Sequence, residues 1–188
     1  SAPHTVTVNP LPTPVISGPT EVCAGESATL DAGAGFSSYL WSTGATTQTI
    51  TVTPGSTLAY SVTVTNGSNC QATSAPHTVT VNPLPTPVIN GPAELCAGDT
   101  ATLDAGPGFS SYLWSTGATT QTITVTPGST TAYTVTVTNG SNCQATSAPH
   151  TVTVNPLPAP VISGPTEVCA GDSATLDAGG GFTSYLWS

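Results

Sequence analysis

Ser-Ala-Pro-His-Thr-Val-Thr-Val-Asn-Pro begins at Ser1, returns at Ser74 and returns again at Ser147, so the 188-residue chain repeats with a period of 73 residues. Residues 1–73 and 74–146 differ at eight positions: Ser17/Asn90, Thr20/Ala93, Val22/Leu95, Glu26/Asp99, Ser27/Thr100, Ala34/Pro107, Leu58/Thr131 and Ser61/Thr134. All eight exchanges are chemically mild. A catalytic site needs one cleft on which unlike groups converge. Near-copies in series instead multiply one surface along a line, which suits reach, avidity or assembly.

The chain holds no Lys and no Arg, and nine acids give it a formal charge of −9. Without cations it cannot neutralise phosphate, which excludes nucleic acid as a partner. A polybasic membrane-surface site is excluded on the same ground, and no apolar run is long enough to insert into a membrane. Apolar residues make up 37% of the chain and alternate with Thr, a pattern of folded β-structure and not of disorder. Stability must come from burial, the backbone ladder and covalent links.

The five cysteines follow the repeat. Cys23 and Cys70 lie 47 apart, as do Cys96 and Cys143, while Cys169 stands at the Cys23 position with its partner outside the chain. One disulfide inside each repeat, Cys23–Cys70 and Cys96–Cys143, is the simplest reading of that spacing; free buried thiols and intermolecular bonds are its alternatives. A domain of this size has a thin core and commonly needs a staple. Closing such a loop is worth roughly 4 kcal/mol in the chain-entropy model. No Cys-x-x-Cys or paired His accompanies the cysteines, so metal ligation is not indicated. Disulfides imply an oxidising compartment.

Within the first copy, Pro10-Leu-Pro-Thr-Pro14 places proline at every second position, which stiffens the segment and marks a junction. Val15-Ile16 reads as a short strand. Ser27–Ala32 alternates, with Ala28, Leu30 and Ala32 on one face. Ser38–Ser42 is an aromatic strand with Tyr39 and Trp41 together and Leu40 opposite. Gln48–Thr53 turns Ile50 and Val52 inward, and Ala59–Thr65 does so with Tyr60, Val62 and Val64. Asn66-Gly67 signals a hairpin. The return strand runs through Cys70 to His77–Asn82, bent near Pro76. Six or seven short strands, turns every 8 to 12 residues and no helical period predict an all-β fold: tandem immunoglobulin-like β-sandwiches in a linear array, one disulfide per repeat. Cys23 falls in the turn before the second strand.

The domains therefore do not start at Ser1. Residues 1–9 read as the last strand of a preceding repeat, 10–82 and 83–155 as two immunoglobulin-like repeats, and 156–188 as the first half of a further one.

The runs Leu95-Cys-Ala-Gly-Asp-Thr-Ala-Thr-Leu-Asp104, Tyr112-Leu-Trp-Ser-Thr-Gly-Ala-Thr-Thr-Gln-Thr-Ile123 and Tyr133-Thr-Val-Thr-Val-Thr-Asn-Gly-Ser-Asn-Cys143 resemble the immunoglobulin-like or PKD-like repeats of long Bacteroidota surface proteins. Those include adhesins of the type IX secretion system, gliding-motility adhesins among them. The resemblance spans the whole chain and implies an extracellular, cell-surface setting. It also implies O-glycosylation at Asp followed by Ser or Thr and a small residue, a pattern that Thr100 and Ser173 meet. The Asn66-Gly-Ser68 and Asn139-Gly-Ser141 sequons read as turns.

The acids recur five residues apart, at Glu21, Glu26, Asp31 and their counterparts. Calcium rigidifies some adhesin arrays, but no Asp-x-Asp-x-Asp loop occurs here, so the acids read as solvated ones and no cofactor is expected. His4, His77 and His150 read as solvent-facing, and Trp41, Trp114 and Trp187 as core anchors. No Gly-x-Ser-x-Gly elbow is present, and an enzyme is not expected. A strand of six or seven residues plus a proline junction gives about 35–40 Å per repeat. The chain thus reads as a structural and adhesive segment of a cell-surface fibre. Its partners would be copies of itself along or across that fibre, with strand exchange between ends one route, and surface glycans. The alternative is a polysaccharide-binding or spacer module of a secreted enzyme.

Overall fold

A computed structural model describes residues 3–188; Ser1 and Ala2, part of the expected strand 1–9, lie outside it. Each complete repeat carries eight short strands. In the first these are β1 (Glu21–Cys23), β2 (Ala28–Asp31), β3 (Ser38–Trp41), β4 (Thr49–Val52), β5 (Leu58–Tyr60), β6 (Val62–Thr65), β7 (Gln71–Thr73) and β8 (His77–Asn82). The second repeats them as β9 (Glu94–Cys96), β10 (Ala101–Asp104), β11 (Ser111–Trp114), β12 (Thr122–Val125), β13 (Thr131–Tyr133), β14 (Val135–Thr138), β15 (Gln144–Thr146) and β16 (His150–Asn155).

Two layers form each sandwich. In one, β2 pairs antiparallel with β4, and a bridge from Ser17 to Asp31 adds the incoming chain. In the other, β3, β6 and β7 lie side by side, and β5, β8 and β1 continue the layer. Strands β5 and β6 are one run broken only at Ser61, and β7 and β8 are one run broken at Ser74-Ala-Pro76. The register slips by one residue across that break, from Thr63↔Thr73 to Tyr60↔His77, which is a β-bulge. The chain enters on one layer at Ser17 and crosses to the other, where β1 runs parallel to β8. This is the immunoglobulin-like, all-β plan that the alternation predicts.

The alternation also sets the core. Ala28, Leu30, Trp41, Ile50, Tyr60, Val62, Val64 and Val79 are buried together, and the second repeat builds the same cluster around Leu103, Trp114 and Val137. Trp41 and Trp114 are each only 2% exposed, and their indole N–H groups donate to the carbonyls of Thr47 and Thr120 at 2.8 Å. Leu40, facing the other way, is exposed.

Two local expectations change. Val15-Ile16 forms no strand beyond the Ser17 bridge. The proline-alternating segment is not a free junction rod: Pro12, Pro14 and Ile16 are buried while Leu11, Thr13 and Val15 are exposed. Proline fixes an extended backbone but lacks the N–H that a ladder needs, so the segment joins no ladder and packs by its buried side chains, with the Pro10 carbonyl accepting from Asn66.

Residues 3–9 form no strand, and their Val6 and Val8 are exposed. In 156–188 only the Ser163–Asp177 bridge forms. Tyr185 and Trp187 there are about half exposed, at 48% and 50%, where their counterparts in the complete repeats sit in or against a core.

Candidate functional site: the junction between repeats

The one disulfide among the described residues joins Cys23 of the first repeat to Cys143 of the second, with Cα atoms 5.6 Å apart and the two residues 120 positions apart in sequence. The expected Cys23–Cys70 and Cys96–Cys143 bonds do not form; Cys70, Cys96 and Cys169 are free thiols.

The reason lies in β1. Placed in a turn by its sequence, Cys23 instead ends a strand that runs parallel to β8, which sets it opposite Asn82, where the chain leaves the first sandwich. Cys70 belongs to the β6–β7 turn, where its sulfur lies 3.9 Å from the carbonyl oxygen of Asn9, at the end where the chain comes in. The two cysteines of one repeat thus sit at opposite poles of the sandwich. Neither can reach the other without unfolding it.

The turn that carries Cys143 is built by Asn139. Its Oδ1 accepts from the backbone N–H of Ser141 and of Cys143, both at 3.0 Å, and its Nδ2 donates to the carbonyl of Pro83 at 2.9 Å. Asn142 supplies the left-handed residue at φ 60°, giving a three-residue loop closed by Asn139 N–H to Cys143 O at 2.9 Å. Asn139 therefore shapes the turn and docks it on the linker at once. Asn66 does the same for the first repeat, against Pro10. Both sequon asparagines are spent on turn and linker contacts.

Asn82 sits between the two halves of the staple. Its carbonyl accepts from Ala24 N–H at 2.9 Å and lies 4.0 Å from the Cys143 sulfur; its side-chain amide donates to Glu21 at 3.1 Å. Glu26 turns back to accept from the Cys23 N–H at 3.1 Å. Glu21, Cys23, Glu26, Asn82, Ser141 and Asn142 line a shallow cleft of about 190 Å³.

The other sequence candidates do not converge on it. Asp31 accepts from Gly33 N–H and Gln48 Nε2 at 2.8 and 2.9 Å, and Asp104 repeats this with Gly106 and Gln121. The Gln amide first, then the Gly N–H, holds each carboxyl below its ordinary value. His77 and His150 lie within hydrogen-bond distance of the carbonyls of Pro19 and Pro92, and His4 is exposed. Thr100 and Ser173 are exposed. Among the described residues no three His, Cys, Asp or Glu side chains group as metal ligands would. The sequence reading placed Asn66 and Asn139 in turns without their ties to the linker carbonyls, and it missed Asn82, whose recurrence before each proline segment was its only signal.

The PKD-like domain family matches residues 9–81 and 82–154, and the chain belongs to that family. Domains of this kind are typically non-catalytic. Among curated proteins none matches the chain. Among solved structures, fibronectin(III)-like modules of Clostridium thermocellum CbhA superpose with a TM-score of 0.40 at 12% identity, over 74% of this chain and 93% of theirs. Murine CEACAM1b gives 0.34 at 11%, over 75% and 100%. A Bacteroides ovatus mixed-linkage glucan utilization locus protein, SGBP-B, in complex with a mixed-linkage heptasaccharide, gives 0.23 at 18%, over 85% and 47%. The sandwich assignment rests on strand topology and family membership.

Proposed function

We propose that the chain is a structural and adhesive segment of an extracellular cell-surface fibre, exported in the manner of the type IX adhesins it resembles. The Cys23–Cys143 bond carries this reading. A disulfide inside each unit would stabilise separate beads. A disulfide across the junction ties consecutive units together. Under tension the load passes through the sulfur–sulfur bond and bypasses the chain between Cys23 and Cys143. Units held in series this way resist extension, and weak contacts repeated along them sum to firm attachment. A sugar-stacking platform is less well served, because Trp41 and Trp114 are buried.

Two measurements test the reading. Pulled from its ends, the oxidised chain keeps the 120-residue span hidden, and reduction releases about 400 Å of further contour length. Equal lengths before and after reduction would remove the mechanical role. Antibody raised against the repeat should label fibres on intact source cells; labelling confined to the cell interior would overturn the location.

A further inference from the structure

Cys96 and Cys70 occupy the two halves of the junction geometry just described. Cys96 ends β9 opposite Asn155, as Cys23 ends β1 opposite Asn82. Ala97 N–H donates to Asn155 O at 2.9 Å, as Ala24 does to Asn82. Cys70 lies against Asn9 as Cys143 lies against Asn82. The occupied junction therefore shows what each open half is shaped to take.

A second observation lies just beyond Cys96. Pro158, Pro160, Ile162, Phe182, Tyr185 and Trp187 line an apolar cleft of about 480 Å³. In the first repeat the counterparts Pro12, Pro14, Ile16 and Trp41 are buried. They are covered there by Ile50, Tyr60, Val62, Val64 and Val79, all on β4 to β8. The segment that covers this face also carries the turn cysteine.

We propose that Cys96 bonds the turn cysteine of the β4–β8 segment of this repeat that covers residues 156–188, whether that segment follows in the same chain or comes from another copy. The resulting rule joins the first cysteine of each repeat to the second cysteine of the next. Cys70 is the complementary half, taking the first cysteine of a repeat docked at the other pole. In forming the bond the two thiols lose two protons and two electrons to a disulfide oxidant, such as oxidised glutathione, which leaves as two thiols. The strands supply affinity by covering apolar surface, and docking sets the two sulfurs side by side. This inference does not rest on where the chain acts.

The test uses the 188-residue chain and a synthetic peptide with the sequence of residues 116–155, whose one cysteine is at position 143. In a glutathione buffer, digestion under non-reducing conditions should find the peptide on Cys96 about tenfold or more above Cys169, which is also exposed. Trp187 should become shielded from acrylamide. C96S should abolish the adduct yet keep that shielding, since the strands still dock. No adduct at Cys96, equal adducts on all three free thiols, equal reaction of a scrambled peptide, or an adduct without shielding of Trp187 would each overturn the proposal.

Discussion

Cys23 stands directly opposite Asn82 in the parallel pairing of β1 with β8. That relationship turns a cysteine of the first sandwich into a component of its boundary with the second. Asn82 is the last residue of the first sandwich, and its carbonyl touches the sulfur of Cys143. The staple therefore straddles the residue at which one unit hands over to the next.

The thiol count follows directly. Unfolded without reductant, the chain should show three reactive thiols, since Cys70, Cys96 and Cys169 are free. Two intradomain bonds would leave one. C23S should raise the count by one by releasing Cys143, and C70S should lower it by one while leaving the staple in place. Titration with a chromogenic disulfide under denaturing conditions reads this. In the chain-entropy model, closing a 120-residue loop is worth roughly 5 kcal/mol. Because each sandwich has its own core, C23S should lower the stability of the pair without abolishing either fold.

Asn139 should matter twice. N139A removes the acceptor for Ser141 and Cys143 N–H and the donor to Pro83. It should cost about 1–3 kcal/mol and slow re-formation of the staple after reduction. N139D keeps the turn's acceptor and loses only the tie to the linker, so it should slow the staple with little loss of stability. N66A makes the equivalent cut in the first repeat and should leave the rate of staple formation unchanged. Quenched mass spectrometry of reoxidation separates the three.

Acid should weaken both sandwiches through one pair of residues. Gln48 and the Gly33 N–H hold the Asp31 carboxyl below its ordinary 3.8, and Gln121 and Gly106 do so for Asp104. A depressed folded-state value means that the contribution is fully present above 3.8 and is lost as pH falls through the lowered value. D31N and D104N should therefore flatten the acid limb by lowering stability near neutrality, where the carboxylate's contribution is lost, and should converge on the parent in acid. Urea midpoints from about pH 5 to about pH 2 would show it; an acid limb as steep in the double variant as in the parent would contradict it.

The alternating strands were legible because burial of one sheet face imposes a period of two. Ala28 and Leu30, Ile50, and Tyr60, Val62 and Val64 are all buried as their spacing predicts. The disulfide was not. A spacing of 47 is what a repeat shows whichever copy each cysteine bonds, so periodicity cannot distinguish a bond within a unit from one between units. The choice was made by β1, three residues long and pairing parallel with a strand 59 positions onward. Such a strand has no hairpin turn and almost no period of its own to announce it. The buried prolines hid for a related reason. Pro12 and Pro14 look like linker residues because they cannot pair, yet their alternation is the same inside-outside pattern as in the strands.

The bulge between β7 and β8 yields the last prediction. Ser74 and Ser147 are the only buried polar side chains in the described core, at 8% and 7% exposure. Ser74 fills the gap where the register slips: its N–H donates to Val62 O at 2.9 Å, and its Oγ accepts from Val62 N–H at 3.2 Å. Without the hydroxyl, the Val62 N–H faces a dry core with no acceptor. S74A should therefore cost the first repeat about 1–3 kcal/mol while sparing the second. The neighbouring Thr63–Thr73 hydroxyl pair lies at the surface at 2.8 Å, where water can replace it. T63A should cost under about 0.5 kcal/mol. Amide exchange at Val62 and Val135 reads the two repeats separately: S74A should speed the first and leave the second unchanged. If T63A proved as damaging as S74A, the bulge serine would be no more than a surface residue, and the slip in register would need another support.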